Sequence, residues 1–318
     1  MAVPAVAPFL LAALFVVPAA AQTPAAEPAP PIVELSGYLQ ARETWQHAVG
    51  LTGSINRARL AAAGSVAPSV SYRVQAEFRT GSAGNGRASV SLQDAYIRFA
   101  RERWSVQAGQ FKTPFAREFV TSLTEVETAD RSTVVDSLAP KRDIGLMGEY
   151  TITPTVTAYA GVFNGEGQNV TANGDSTVLG VARVVVRPLA HVALGANAAR
   201  YFGDSTRYGA DASYQDGPFV VRAEYLAQAR DATASADDHG WYLVGAYALV
   251  PEVQLVAKYE TFERPGISDQ LDNRAWTLGA NAFPFGRSTR LTVEYLTRKV
   301  GEPGSRKGVL LAQAQVKY

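Results

Sequence analysis

Cysteine is absent from the 318-residue chain, which removes disulfide frameworks, thiolate metal sites and thiol nucleophiles together. Histidine is scarce. His47, His191 and His239 are far apart and form neither HxxxH nor HExxH, so no metal site is expected. A charge of one sign is missing too. The net charge of +1 gives no reason to expect nucleic acid or a strongly charged partner. Beyond residue 31, no apolar run approaches the ~18 residues of a membrane helix. If the mature chain sits in a membrane, it must be a closed barrel, because only closure satisfies every backbone donor and acceptor in lipid.

The first residues, MAVPAVAPFLLAALFVVPAAAQ, are apolar and end on Ala19-Ala20-Ala21 before Gln22. This predicts a signal peptide over 1–21, although no Lys or Arg precedes its apolar stretch. Residues 22–32 are a Pro/Ala-rich linker with no core of their own.

From residue 33 onward the chain alternates. In VSYRVQAEFR, Val70, Tyr72, Val74, Ala76 and Phe78 share one face, and Ser71, Arg73, Gln75, Glu77 and Arg79 the other. VQLVAKYE and AWTLGANAF repeat the pattern, as does the final VLLAQAQVKY, which ends on the aromatic Tyr318. The periodicity predicts about sixteen strands of ~10 residues over 33–318, the length that crosses a bilayer at a tilt. Tight turns such as Ala67-Pro68-Ser69 and Thr153-Pro154-Thr155 take turns with long polar connections such as NGEGQNVTANGD. One short-turn rim and one long-loop rim are the asymmetry of an outer-membrane barrel. The fold class is therefore all-β: a transmembrane antiparallel β-barrel. A soluble sandwich needs a second layer over its apolar faces, and no helical layer is evident.

One connection breaks the rhythm. Residues 113–143, TPFAREFVTSLTEVETADRSTVVDSLAPKRD, do not alternate, and Phe115, Phe119 and Leu123 recur at helical spacing. A second helical turn is expected from Thr124-Glu125-Val126-Glu127. The apolar content argues for a loop folded inward that constricts the pore.

LQDAYIRF, WSVQAGQFKTPFAREFVTS, LAPKRDIGLMGEY and YAGVFNGEGQN, in that order, resemble the phosphate-selective porin O and P family. The resemblance implies a sixteen-stranded bacterial outer-membrane barrel, a homotrimer, with a third loop that narrows the channel. It implies passive diffusion of small hydrophilic solutes with anion preference, phosphate and polyphosphate among them. The partners it implies are outer-membrane lipid, small anions such as phosphate, and the barrel-assembly machinery acting on the last strand, with Tyr318 as its signal. No cofactor and no enzymatic activity are expected.

Arg42, Arg57, Arg59, Arg73, Arg79, Arg98 and Lys112 fall on inward positions, and Arg117 and Arg131 join them from the long loop. Converging guanidiniums and ammoniums are what anion recognition requires. Of these, only Lys112, in GQFKTPF, is carried over from the family motif. Two alternatives stay open. The wall arginines are paired with Glu34, Glu77 and Asp94 and select nothing, or the loop acids Glu125, Glu127, Asp130 and Asp136 face them and set a transverse field across a general diffusion pore. Competing functions are an outer-membrane barrel enzyme of protease or phospholipase type, for which no GxSxG occurs, and a secreted β-rich binding module.

Overall fold

The structure, a computed structural model, describes residues 33–47, 49–79, 88–174, 176–231, 238–265, 273–300 and 306–318. The expected signal peptide (1–21) and linker (22–32) lie outside the described residues.

Sixteen antiparallel strands close into a barrel. In chain order they are β1 (Val33–Gln46), β2 (Gly50–Ala67), β3 (Val70–Arg79), β4 (Ser89–Arg101), β5 (Trp104–Lys112), β6 (Arg142–Thr153), β7 (Val156–Phe163) and β8 (Leu179–Leu189). The second half of the ring is β9 (Val192–Tyr201), β10 (Ser205–Asp216), β11 (Phe219–Arg230), β12 (Asp238–Val250), β13 (Val253–Glu263), β14 (Asn273–Ala282), β16 (Thr289–Val300) and β17 (Arg306–Lys317). A four-residue strand, β15 (Pro284–Arg287), sits in the turn between β14 and β16. Each barrel strand coincides within a few residues with an alternating stretch of the sequence. Closure joins the two ends: β1 pairs with β17, and Gly37 and Tyr318 exchange backbone hydrogen bonds at 3.0 and 3.1 Å. The ring has no free edge.

The distribution of side chains is the reverse of a soluble domain. Leu255 and Trp276 are 45% and 48% exposed, while their strand neighbours Gln254 and Thr277 are 8% and 3% exposed. Glu77 is fully buried and Phe78 points out. Polar inside and apolar outside is the arrangement that lipid demands. Outward aromatics gather toward both rims: Trp104, Tyr214, Phe219 and Tyr247 near the short turns, and Trp45, Tyr208, Trp241 and Trp276 toward the other end. Trp241, Tyr259 and Trp276 stack across β12, β13 and β14 with centroids 5.3 and 4.6 Å apart. Such belts suit the two lipid–water interfaces.

One expectation is corrected. On the long-loop rim, the connections between β1 and β2 and between β9 and β10 are as tight as turns. His239 is the second residue of β12.

The buried apolar core lies inside the barrel, between the long connection after β5 and the wall. That connection carries two short helices, α1 (Arg117–Val120) and α2 (Thr133–Leu138). Phe115, Phe119, Val134, Val135 and Leu138 pack on Phe163, Leu179, Val181, Leu226, Tyr242 and Val256, which occupy inward positions of β7, β8, β11, β12 and β13. The wall is thus apolar inside where the loop leans on it. The second helix begins at Thr133, not at Thr124. The reason is tertiary: its first amide, Thr133 N–H, is accepted by Glu260 Oε1 of β13 at 3.3 Å, and the Thr133 hydroxyl donates to the same oxygen at 2.6 Å. Over residues 124–127 the amides of Thr124, Glu125 and Val126 all turn back to Ser122, and the chain makes a single turn and then bends.

Candidate functional site

Two bulges set up the basic wall. The β1–β2 register shifts at Gln40/Ala41, so that Asn56 and Arg57 both turn to the lumen, against Gln40. The β3–β4 register shifts at Gln75/Ala76, so that Gln93 and Asp94 are both directed inward, Gln93 to 2% exposure. An inserted residue re-aims its neighbours in this way.

The arginines meet these positions in a repeated unit of two guanidiniums about one carboxylate. Asp130 of the loop takes Arg42 at 2.6 Å and Arg57 at 3.6 Å. Glu77 of β3 is bonded by both Arg59 and Arg79. Asp94 of β4 takes Arg142 at 2.8 Å and Arg73 at 3.7 Å. Six arginines share three carboxylates, which leaves these three units with three positive charges in surplus. Glu34, expected as a partner, is exposed at the start of β1 and makes no ion pair among the described residues.

Other expected residues are placed differently. Lys112 Nζ donates to the carbonyls of Val120 and Thr121 at 3.2 and 2.9 Å, and sits 5.5 Å from the Phe119 ring. It staples the end of α1. Arg131 donates to the carbonyls of Glu118, Phe119 and Thr121, and lies over the same ring at 4.9 Å. Burial, with Arg57 and Arg142 nearby, lowers its pKa to about 10 despite Asp136 and Glu118. Arg98 pairs with Glu149 at 2.7 Å on the short-turn side.

Of the four loop acids singled out, Asp130 alone reaches the arginines of β1 and β2. Its depth in the lumen disfavours charge, but the Arg42 hydrogen bond and the charges of Arg42 and Arg57 prevail and hold it below the usual carboxylate range. Glu127 is bonded to Arg222 of β11 at 2.6 Å, on the opposite wall. Glu125 and Asp136 are exposed.

The loop itself is held by glutamates that periodicity did not single out. Neither helix has a side-chain N-cap of its own. Glu224 of β11 accepts the amides of Arg117 and Glu118 at 2.7 and 3.2 Å. Glu118 accepts the Ser132 amide at 2.8 Å, and burial pushes its carboxyl above the usual range. Glu294 of β16 accepts the Ala129 amide at 2.8 Å, and Arg290 donates to the Val126 carbonyl at 2.7 Å. Wall carboxylates thus do for the loop what caps do for an isolated helix. Alternation alone places Glu224, Glu260 and Glu294 inward, and nothing local shows that a loop arrives there. Among the described residues, no group of three or more His, Cys, Asp or Glu could hold a metal ion.

Residues 46–201 match the family model of phosphate-selective porin O and P. The anion-selective porin from Comamonas acidovorans superposes with a TM-score of 0.68 at 12% identity, over 91% of this chain and all (100%) of that one. The outer membrane channel DcaP of Acinetobacter baumannii gives 0.66 at 14% identity, over 91% and 97% of the two chains. OmpT of Vibrio cholerae, in its trimer form, gives 0.66 at 12% identity, over 91% and 99%. The fold is that of an outer-membrane porin. No curated protein matches the chain in sequence. Within this porin fold, all the clasping arginines except Arg42 lie in the segment that matches the family model.

Proposed function

We propose that the chain sits in the bacterial outer membrane as a passive diffusion channel for small hydrophilic solutes and prefers anions, inorganic phosphate among them. One observation carries the reading: six arginines divided among three carboxylates along the lumen wall. Half of the positive charge is left to the water-filled passage, where low-dielectric walls concentrate its field and draw in counter-ions. Paired arginines are also held in place, so the surplus is presented by side chains that do not collapse onto the wall. The family match over 46–201 and the likeness to an anion-selective porin support the same reading.

Three copies of the chain form the working unit in this proposal. Glu43 is exposed on the outward face of β1, in a groove of about 830 Å³ whose lining includes Ala41, Gly53, Ala312 and Ala314. A carboxylate is poorly suited to lipid, and small residues allow close approach of another barrel. The trimer form of OmpT supports this.

Zero-current potentials across planar bilayers under a potassium chloride gradient test the channel. The expected sign is that of chloride permeating faster than potassium. A cation preference overturns the reading. Half-blocking of the chloride current by phosphate at concentrations where sulfate and acetate have little effect is expected if phosphate is a preferred solute, and equal effects remove that part.

A further inference from the structure

On the short-turn side of the constriction loop, the lumen wall opens into a cavity of about 450 Å³. That size falls in the ~300–1,000 Å³ typical of small-molecule sites. Its lining combines two chemistries. Part is cationic: Arg183 and Arg187 from β8, Arg98 from β4, Lys112 at the end of β5 and Arg117 from α1. Two of these charges are matched, Arg98 by Glu149 and Arg183 by Asp211, each at 2.7 Å. Lys112, Arg117 and Arg187 make no ion pair among the described residues. Arg117 Nε and Arg183 Nη1 are buried donors without an acceptor. Such donors are costly to leave empty, and an oxyanion held beside these guanidiniums is a strong acceptor for them.

Apolar groups lie among these cations: Tyr159 is paired with Arg183 across β7 and β8, Val185 stands between Arg183 and Arg187, and Val120 joins them from the loop; none of the three belongs to the buried core beneath the loop. Val120 is 39% exposed in a passage that carries water. A hydrated halide or phosphate ion makes no use of this surface. A carboxylate with a ring or short hydrocarbon body uses both kinds of group: its oxygens meet the guanidiniums, and its body covers Tyr159 and Val185.

The geometry points to a subsite for organic monocarboxylates with a compact apolar body, about the size of benzoate, between the constriction loop and the short-turn rim. It rests on the reading of the barrel as an anion-preferring channel and names a solute class for it.

The test compares benzoate with acetate, which has the same head and almost no body, as blockers of chloride current through the purified channel in planar bilayers. Benzoate is expected to reach half-block at roughly ten-fold lower concentration, a difference of the size that burying a few carbon groups produces. Tyr159→Ala and, separately, Val185→Ser are expected to bring the benzoate-to-acetate ratio close to one, while Arg187→Gln weakens both blockers. Appearance of conducting channels shows that each variant has folded. Equal block by the two carboxylates, or a ratio that survives both apolar variants, overturns the subsite. The zero-current potential separates the two failures: an anion-preferring channel with equal block sinks the subsite alone, and a channel without anion preference sinks the function and the subsite together.

Discussion

Glu294 on β16 accepts the backbone N–H of Ala129 at 2.8 Å, joining residues 165 positions apart. The loop tip is therefore tied to the wall by a buried charged acceptor, the strong kind of hydrogen bond. Glu294→Ala leaves the amide without a partner, at a cost of about 1–3 kcal/mol. Single-channel records of the variant are expected to show larger and noisier conductance, because the tip is released from the passage. A conductance equal to that of the parent, with the same noise, contradicts this role.

Asp130 is the carboxylate between Arg42 and Arg57. Asp130→Asn removes the negative charge that both guanidiniums share, so the anion preference is expected to rise, seen as a larger zero-current potential in a salt gradient. Acid should act in the same direction. The carboxyl is held below its ordinary value of about 3.9, so its pairing with Arg42 is complete above that value and lost only as pH falls through the lower, folded one. Asp130's share of the ion preference should be level down to about 4 and climb only below it. The Asn variant should lack the climb.

Glu77 is buried between Arg59 and Arg79, and Arg59 is itself 9% exposed. Removing one partner of a buried ion pair strands the other charge, at about 3–5 kcal/mol. Glu77→Ala should lower the temperature at which the folded band converts to the unfolded band in heated electrophoresis. Adding Arg59→Ala should recover part of the loss, since the stranded charge is gone. If the double variant is the less stable of the two, the pair is not the source of the effect.

Tyr318 closes the barrel through two backbone bonds to Gly37. Deletion of Tyr318 removes both at the seam, and the fraction of chain recovered as a heat-modifiable barrel is expected to drop several-fold. Tyr318→Phe keeps the backbone pairing and the aromatic ring, and should fold as the parent does.

The strands could be read from the sequence because the two environments of a barrel wall differ at every residue. Leu255, Ala257 and Tyr259 against Gln254, Lys258 and Glu260 is a pattern that no other period explains. The luminal positions of Arg42, Arg57, Arg59 and Arg73 came from the same rule. The bulges at Asn56 and Gln93 were not legible, since an extra residue in one strand is visible only against its partner. Nor was the start of α2: its first amides are satisfied by Glu260 and Glu118, which are distant in sequence.

The sequence by itself determined a two-faced wall of sixteen strands, one inserted segment rich in Phe and Val, and an excess of arginine on the inner face of the first strands. These are periodic or compositional properties, and each residue carries its share of them. Tertiary structure decided which charges cancel. Glu77 and Asp94 each hold two arginines, Lys112 is spent on loop carbonyls, and Glu224, Glu260 and Glu294 pin the loop. Electrostatic pairing depends on a few ångströms between groups that lie on different strands, and that distance exists only once the cylinder has closed.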